Sequence, residues 1–204
     1  MRNFKKFLAL VLAMLMVSAC AVSVSAFNDQ AAIDATDFED AVEILAELGV
    51  VKGDENGNYN PNNTLRRDEA AVIIAKLVAG VAGQSMDWVA ETTKFADVDA
   101  KWSFAYINYV ADRKIMVGTD LGFEPTRELQ IDEALALALK AADPAAVRNV
   151  EIMNAQYPTN YWATYYISTA EELGIADNLG IIYDHEAACS KAMFAQIAVN
   201  MLNN

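Results

Sequence analysis

Apolar residues recur at helical spacing in the first third of this chain. They follow the i, i+3, i+4, i+7 rule of one buried helical stripe at Phe38, Ala41, Val42, Leu45 and Leu48. A Thr36-x-x-Glu39 capping box predicts that this helix begins there, after a polar lead-in at 27–35. Gly49, which tolerates the left-handed conformation, predicts its end. A second apolar stripe predicts another helix from about 66 to 78.

The turn between these two helices carries a motif that recurs twice more. An aromatic residue stands two positions before a Pro or His, and an apolar residue stands four positions after it. The motifs are Gly57-Asn58-Tyr59-Asn60-Pro61 with Leu65-Arg66-Arg67-Asp68-Glu69, Gly122-Phe123-Glu124-Pro125 with Leu129-Gln130-Ile131-Asp132-Glu133, and Gly180-Ile181-Ile182-Tyr183-Asp184-His185 with Cys189-Ser190-Lys191-Ala192-Met193. A shared frame of this length indicates an internal repeat.

Each repeat is predicted to be a helix, a turn and a helix. In repeats 2 and 3 the first helices open near Trp102 and Trp162, and the second helices span 132–142 and 190–202. One helix pair cannot bury both of its apolar stripes, so three pairs must pack on one another. The sequence therefore predicts an all-α fold of three repeats at 27–84, 85–145 and 146–204, packed as one pseudo-threefold domain.

The first 26 residues have the pattern of an export signal. Three basic residues precede an apolar core at 7–17, and small residues follow it. Val24-Ser25-Ala26 predicts cleavage after Ala26. An alternative is that Val17-Ser18-Ala19-Cys20 is a lipobox, which would leave Cys20 lipidated and attach the chain to a membrane. On the first alternative Cys189 is the only cysteine left in the mature chain, so no internal disulfide can form.

Charge excludes some partners. The chain has 15 Lys+Arg and 28 Asp+Glu. Cleavage after Ala26 would remove three basic residues and no acidic one, leaving 12 against 28 and a net charge of −16. Nucleic acids and anionic bilayers bind clusters of Lys and Arg, so neither is an expected partner. Beyond the leader, no apolar run is long and charge-free enough to span a bilayer.

The repeat resembles the S-layer homology (SLH) family. The family pattern is Phe-x-Asp, a Trp opening helix one, Gly-x-(Phe/Tyr)-x-Pro, and Ile-Thr-Arg-Ala-Glu opening helix two; Phe95-Ala96-Asp97 and Trp102 match its first part. The resemblance implies a threefold pseudo-symmetric helical domain of exported proteins at the bacterial cell surface. It also implies binding of an acidic, often pyruvylated, secondary cell wall polysaccharide in grooves between repeats, without catalysis, metal or cofactor.

Carried over residue by residue, the resemblance implies that Arg67, Glu69, Asp97, Trp102, Trp162 and Lys191 bind the glycan. In repeat 1, Arg67 and Glu69 hold the Arg and Glu of the motif, and a guanidinium suits a ketal carboxylate because it can make two parallel hydrogen bonds. In repeat 2, Ile131 replaces the Arg, so the second groove is expected to be the weakest. In repeat 3, Lys191 keeps the charge and Met193 replaces the Glu.

The two motif tryptophans have a second interpretation. Trp102 and Trp162 could stack on sugar rings, since an aromatic face is a good apolar platform. Their place at the start of the most apolar helices favours packing in the core.

Two further motifs are interpreted as structural. The run 54–60 begins like an EF-hand loop, but Tyr59 and Leu65 occupy the Gly and bidentate Glu positions, which favours a plain turn. His185 and Cys189 could suggest a metal site or a thiol nucleophile. They fill the Pro and Leu positions of the repeat, however, so Cys189 is predicted to be a small buried hydrophobe.

The hypothesis from the sequence is a non-enzymatic wall-binding module in which Arg67, assisted by Lys191, meets acidic groups of a wall glycan. The rival hypothesis is a structural or assembly protein that self-associates through degenerate repeats. This rival is suggested by Ile131 and Met193, which replace the Arg and the Glu of the motif.

Overall fold

The computed structural model describes residues 27–85, 87–180 and 184–203. Within them the chain forms eight α-helices and no strand, which confirms the all-α prediction. The helices are α1 Gln30–Asp34, α2 Glu39–Glu47, α3 Arg67–Val81, α4 Phe104–Asp112, α5 Ile131–Ala142, α6 Pro144–Gln156, α7 Thr164–Glu172 and α8 Lys191–Leu202. The predicted leader with both cleavage sites, and Ile181, Ile182 and Tyr183 of the third turn, lie outside the described residues.

The first helix of each repeat packs on the second helix of another repeat. α4 of repeat 2 lies on α3 of repeat 1, and α7 of repeat 3 lies on α5 of repeat 2. α2 of repeat 1 closes the circle by packing on α8 of repeat 3, and α5 and α8 also pack together. Each repeat therefore buries its apolar stripes only when the other two are present, as the stripes predicted.

A ring of three hydrogen bonds joins the repeats where their second helices begin. The N–H of Leu65 donates to the carbonyl of Cys189 at 2.9 Å, that of Cys189 to Leu129 at 2.8 Å, and that of Leu129 to Leu65 at 2.9 Å. All three residues are buried. Cys189 is thus the small core residue predicted, and burial raises the pKa of its thiol to about 12.

An aspartate holds the turn of each of the first two repeats. The carboxylate of Asp97 accepts the N–H of Phe123 at 3.0 Å and that of Glu124 at 2.7 Å. Asp29 makes the same two bonds, at 2.8 and 2.7 Å, to the turn of repeat 1. In both repeats the phenyl ring two residues before the aspartate packs on the turn aromatic, with ring centroids 5.2 Å apart. The lead-in at 27–35 is therefore the Phe-x-Asp segment of repeat 1.

The predicted capping box at Thr36 does not form. The hydroxyl of Thr36 donates to the carbonyl of Ile33 at 2.8 Å and accepts the N–H of Phe38 at 3.3 Å, so it closes the end of α1. Helix α2 consequently begins at Glu39, without a side-chain cap. Its predicted end is confirmed, because Gly49 has a φ of +68°.

Helix α6 was not predicted. The sequence indicated that α5 ends before Pro144, and it does. Pro144 also opens the next helix, because the first helical position needs no N–H donor and suits the fixed φ of proline. The side chain of Asp143 caps this helix by accepting the N–H of Ala145 at 2.8 Å and that of Ala146 at 3.0 Å.

Candidate functional site

A cleft with a volume of about 990 Å³ runs along repeat 1. Its walls are the loop at 50–59, residues of α3 down to Lys76, Trp102 of repeat 2 and Lys191 of repeat 3. We call it the repeat-1 cleft. All three repeats contribute to it because each first helix, and the start of each second helix, lies against a neighbouring repeat.

Four basic side chains line the repeat-1 cleft: Lys52, Arg66, Lys76 and Lys191. They share it with three acidic side chains, Asp54, Glu55 and Glu69. The side chain of Arg66 is 42% exposed. Charges separated by more than a Debye length of about 8 Å are largely screened at physiological salt. The local potential of the cleft is therefore set by these seven side chains, four basic and three acidic, more than by the net charge of the whole chain.

Lys191 is held in the cleft by repeat 1. Its N–H donates to the carbonyl of Asn63 at 2.9 Å, and its carbonyl accepts the hydroxyl of Tyr59 at 2.9 Å. Its ammonium donates to Glu69 Oε1 at 2.8 Å. This ion pair is partly exposed, with 23% of the Lys191 side chain and 28% of the Glu69 side chain accessible. An exposed pair of this kind contributes little to stability, so the ammonium can be shared with an incoming anion.

Glu69 also caps helix α3. Its Oε2 accepts the N–H of Arg66 at 2.9 Å, which is the glutamate half of a capping box. Glu133 makes the same bond to Gln130 at 3.1 Å in repeat 2. In repeat 3 the other half survives, since the hydroxyl of Ser190 accepts the N–H of Met193 at 3.1 Å.

Arg67 lies outside the repeat-1 cleft, against repeat 2. Its side chain is only 9% exposed. Nε donates to the carbonyl of Phe123 at 2.9 Å and Nη2 to that of Val117 at 3.2 Å. The guanidinium carbon is 5.1 Å from the centre of the Phe123 ring, and Nη1 is 3.7 Å from Glu133. The residue that opens the second helix of a repeat thus lies against a neighbouring repeat, and in repeats 1 and 3 this residue is basic. The repeat-1 cleft receives Lys191, and repeat 2 receives Arg67.

Ile131 follows the same rule. Its N–H donates to the carbonyl of Ala187 at 3.0 Å, so it lies against repeat 3. The charge missing at Ile131 is therefore missing next to repeat 3, while the expectation that the groove of repeat 2 is the weakest stays a prediction.

The core-packing interpretation of the two tryptophans is wrong. Trp102 is 52% exposed and Trp162 is 51% exposed. Trp102 lines the repeat-1 cleft. Trp162 lies just before α7, with its ring centroid 6.4 Å from that of Tyr161 and 6.0 Å from that of Tyr166.

The structure thus brings half of the predicted site residues together. Glu69, Trp102 and Lys191 line one cleft, whereas Arg67 and Asp97 meet at the turn of repeat 2 and Trp162 lies before α7. Both carboxylate oxygens of Asp97 are bonded to backbone N–H groups. Burial would raise the pKa of Asp97, but these hydrogen bonds outweigh burial and lower it.

A protein-family model described as the S-layer homology domain matches residues 26–71 and 94–129. These two segments are S-layer homology (SLH) repeats. The chain is 28% identical over 166 residues to the S-layer protein sap of Bacillus anthracis, an alignment that covers 77% of this chain and 19% of that protein. It is 29% identical over 139 residues to the surface-layer 125 kDa protein of Lysinibacillus sphaericus, covering 67% of this chain and 11% of that protein.

A third relative is the cellulosome-anchoring protein of Acetivibrio thermocellus, 22% identical over 124 residues, with 60% of this chain and 28% of that protein covered. The chain thus spans less than a third of each of these relatives. SLH domains are cell-surface anchoring modules of S-layer and cell-wall proteins, and these relatives indicate a location at the cell surface. None of the helices described in the structure is long and apolar enough to cross a membrane.

Repeat 3 lies outside the matched segments, but its turn makes the same kind of backbone contact as the turn of repeat 2. The carbonyl of His185 accepts the N–H of Asp132 at 2.9 Å, as the carbonyl of Pro125 accepts that of Asp68 at 3.0 Å. His185 therefore fills the proline position, as predicted.

Three cleft residues were missed by sequence reasoning: Lys52, Arg66 and Lys76. Lys76 had a detectable signal, because Lys140 stands at the same position of the second SLH repeat in an otherwise apolar helix. Arg66 stands at the Thr position of the family motif, where the motif does not place a cation. Its guanidinium pairs with Asp68, which is fully buried at the start of α3.

The acidic loop beside the cleft is the structural turn that was predicted. Asp54 Oδ1 accepts the N–H of Asn56 at 2.8 Å and that of Asn58 at 3.0 Å, and Oδ2 accepts the amide of Asn60 at 3.0 Å. The bond from Asn58 is the main reason that the pKa of Asp54 is lowered. Across residues 27–85, 87–180 and 184–203, no group of three or more His, Cys, Asp or Glu side chains is placed to hold a metal ion.

Proposed function

We propose that the repeat-1 cleft binds an anionic secondary cell wall polysaccharide and so attaches the chain to the bacterial wall. The observation that carries this proposal is the convergence of four basic side chains and a half-exposed tryptophan in one cleft. Neither Lys191 nor Trp102 belongs to repeat 1, so the site forms only when the three repeats are packed together.

The chemistry of the cleft suits a sugar that carries a carboxylate. The ammonium of Lys191 has three donor hydrogens and is already directed at one carboxylate, that of Glu69. Arg66 and Lys52 add positive charge to the lining of the cleft. Trp102 offers an apolar face on which a sugar ring can stack. A carboxylate on a pyranose would meet cations and an aromatic surface together.

The test is co-sedimentation of the folded chain, residues 27–204, with isolated wall sacculi. Lys52→Gln and Lys191→Gln are each expected to weaken binding about tenfold, which corresponds to about 1.4 kcal/mol. Arg148→Gln is the matched control, since Arg148 is an exposed residue of α6 away from the cleft. Binding that survives extraction of the polysaccharide, or that Arg148→Gln weakens as much as Lys191→Gln, would refute the proposal.

A second candidate function is self-assembly, favoured by an apolar hollow of about 200 Å³ where α3, α5 and α8 end. It is lined by uncharged residues: Leu77, Val78, Val81, Ala141, Ala142, Met201 and Leu202. Two acidic molecules repel each other least where they present no charge. Val81 is 45% exposed, so Val81→Glu should abolish any dimer seen by analytical ultracentrifugation. A monomer at every concentration would dismiss this candidate.

A further inference from the structure

Two basic residues that line the repeat-1 cleft are replaced by uncharged residues in repeat 2. Lys52 precedes Gly53 after the first helix of repeat 1, and the residue at that position in repeat 2 is Val117, which is 53% exposed. Gln130 stands at the position of Arg66. The surface that repeat 2 turns toward repeat 3 has therefore lost two of the positive charges found in the repeat-1 cleft.

The cations that remain on this side are already engaged. Arg67 is buried with its hydrogens on backbone carbonyls. Arg127 makes two bonds to Glu133, at 2.9 and 2.6 Å. The ammonium of Lys140 lies 5.2 Å from the centre of the Tyr166 ring, a cation–π contact. Arg66 and Lys191 of the repeat-1 cleft are paired as well, but the repeat-2 side has no counterpart of Lys52, so it is the poorer surface for an anionic ligand.

Aromatic surface has increased at the same place. Tyr161, Trp162 and Tyr166 form what we call the Trp162 platform, with tilted rings whose centroids are 6.0 and 6.4 Å from that of Trp162. The hydroxyl of Tyr161 donates to Asp132 at 2.6 Å, which fixes its ring from repeat 2. In the preceding repeat, Lys101 stands at the position of Tyr161.

We infer that the Trp162 platform is a second carbohydrate site, and that it takes an uncharged pyranose ring. One face of a pyranose carries mostly C–H groups, and a half-exposed indole flanked by two fixed phenol rings buries such a face well. The inference rests on the proposed function, since it supposes that the chain binds wall carbohydrate. It adds that the two sites differ in chemistry: the repeat-1 cleft takes the anionic substituent, and the platform takes a neutral sugar.

The probe is chitotetraose, an uncharged oligosaccharide of N-acetylated pyranoses, titrated into the folded chain with the tryptophan indole N–H signals followed by NMR. The Trp162 signal should shift and saturate. Trp162→Ala should weaken binding at least tenfold, and Trp162→Phe should restore most of it because a ring is kept. Trp102→Ala removes the half-exposed indole of the other site, which lacks the Tyr161 and Tyr166 neighbours, so it should weaken chitotetraose binding less than Trp162→Ala does.

Salt separates the two sites further. Raising the salt concentration shortens the Debye length and should weaken binding of the acidic polysaccharide, while leaving chitotetraose binding unchanged. Thermal unfolding of Trp162→Ala identifies a variant that has simply lost its fold, in which case Trp162→Phe and the wild-type indole shifts decide the matter.

The outcomes distinguish this inference from the proposed function. If the acidic polysaccharide binds and the Trp162 signal stays fixed in saturating chitotetraose, the platform is no sugar site and the wall-binding function stands. If chitotetraose binds and the acidic polysaccharide does not, the platform is a sugar site and the proposed wall-binding function fails. Equal loss of chitotetraose binding in Trp102→Ala and Trp162→Ala would overturn the assignment to the platform. So would a platform that binds an apolar peptide and no sugar.

Discussion

Removing the guanidinium of Arg67 is expected to destabilise the fold while leaving the repeat-1 cleft in place. In Arg67→Ala, the buried carbonyl of Phe123 and the partly buried carbonyl of Val117 lose a charged donor. Hydrogen bonds to charged groups contribute about 1.5–3 kcal/mol, and an orphaned buried acceptor costs about 1–3 kcal/mol. Glu133 keeps its two bonds to Arg127, so no carboxylate is left alone. Since these terms overlap, the net loss should be about 3 kcal/mol.

Urea unfolding followed by far-UV circular dichroism measures this loss. A change of about 3 kcal/mol is a large share of the 5–15 kcal/mol by which most domains are stable, so the midpoint should fall clearly. Lys191→Ala is the matched comparison, because Lys191 holds the equivalent position in repeat 3 but is partly exposed. Its removal should cost at most about 1 kcal/mol. Arg67→Lys should lie between wild type and Arg67→Ala, because a lysine keeps the charge but not the planar fork.

The opposite pattern would refute this reasoning. If Arg67→Ala unfolds at the wild-type urea concentration and no longer sediments with wall sacculi, its guanidinium is a ligand group and the contacts with Phe123 and Val117 are incidental. If Lys191→Ala is stable and fails to bind, the cation that matters is the one that repeat 3 places in the repeat-1 cleft.

Three further outcomes follow from single residues. Asp97→Ala should lower the free energy of unfolding at neutral pH. Because the pKa of Asp97 is depressed in the folded state, the stability advantage of the wild type should be present above the usual carboxyl pKa and be lost as the pH falls through the pKa of the folded state. A pH series of urea melts measures this. Lys114 has a φ of +57° where repeats 1 and 3 have glycine, so Lys114→Gly should raise the free energy of unfolding by about 0.5 kcal/mol, whereas Gly49→Lys should lower it. Cys189 is buried with its thiol pKa raised to about 12, so iodoacetamide should alkylate it only on unfolding, and stability should fall above the ordinary thiol pKa; rapid native alkylation, checked by mass spectrometry, would contradict this.

Local patterns predicted the second helices well. The helix expected at about 66–78 is Arg67–Val81, and the one expected at 190–202 is Lys191–Leu202. These starts were found because an apolar residue, a short spacer and a capping residue recur at fixed spacing, and capping is decided within one turn of the chain. The start of α2 was missed for the converse reason. Thr36 has the residue type of a cap, but its hydroxyl bonds to the end of α1, a helix that the sequence had not revealed.

The burial and the contact partners of each side chain could not be predicted in the same way. Arg67 and Lys191 occupy equivalent positions, yet one is buried and the other partly exposed. The difference comes from contacts more than fifty residues away, such as the carbonyl of Phe123 for Arg67 and the carboxylate of Glu69 for Lys191. A sequence pattern specifies the frame of a repeat, whereas the order in which the repeats close decides which cleft each side chain enters.

The way in which the repeats pack on one another shows that several departures from the repeat pattern lie on or next to repeat 3. The cation missing at Ile131 is missing next to repeat 3, whose own helix has Met193 and Asn200 where repeat 1 has Glu69 and Lys76. The first helix that packs on repeat 3 is α2, and Asp37 stands there at the position of Trp102. Four departures that look scattered along the chain thus fall on repeat 3 and on the segments of the other repeats that correspond to its neighbours. The same closure brings Glu69, Trp102 and Lys191 together in the repeat-1 cleft, so three motif positions meet there although no single repeat carries the whole motif.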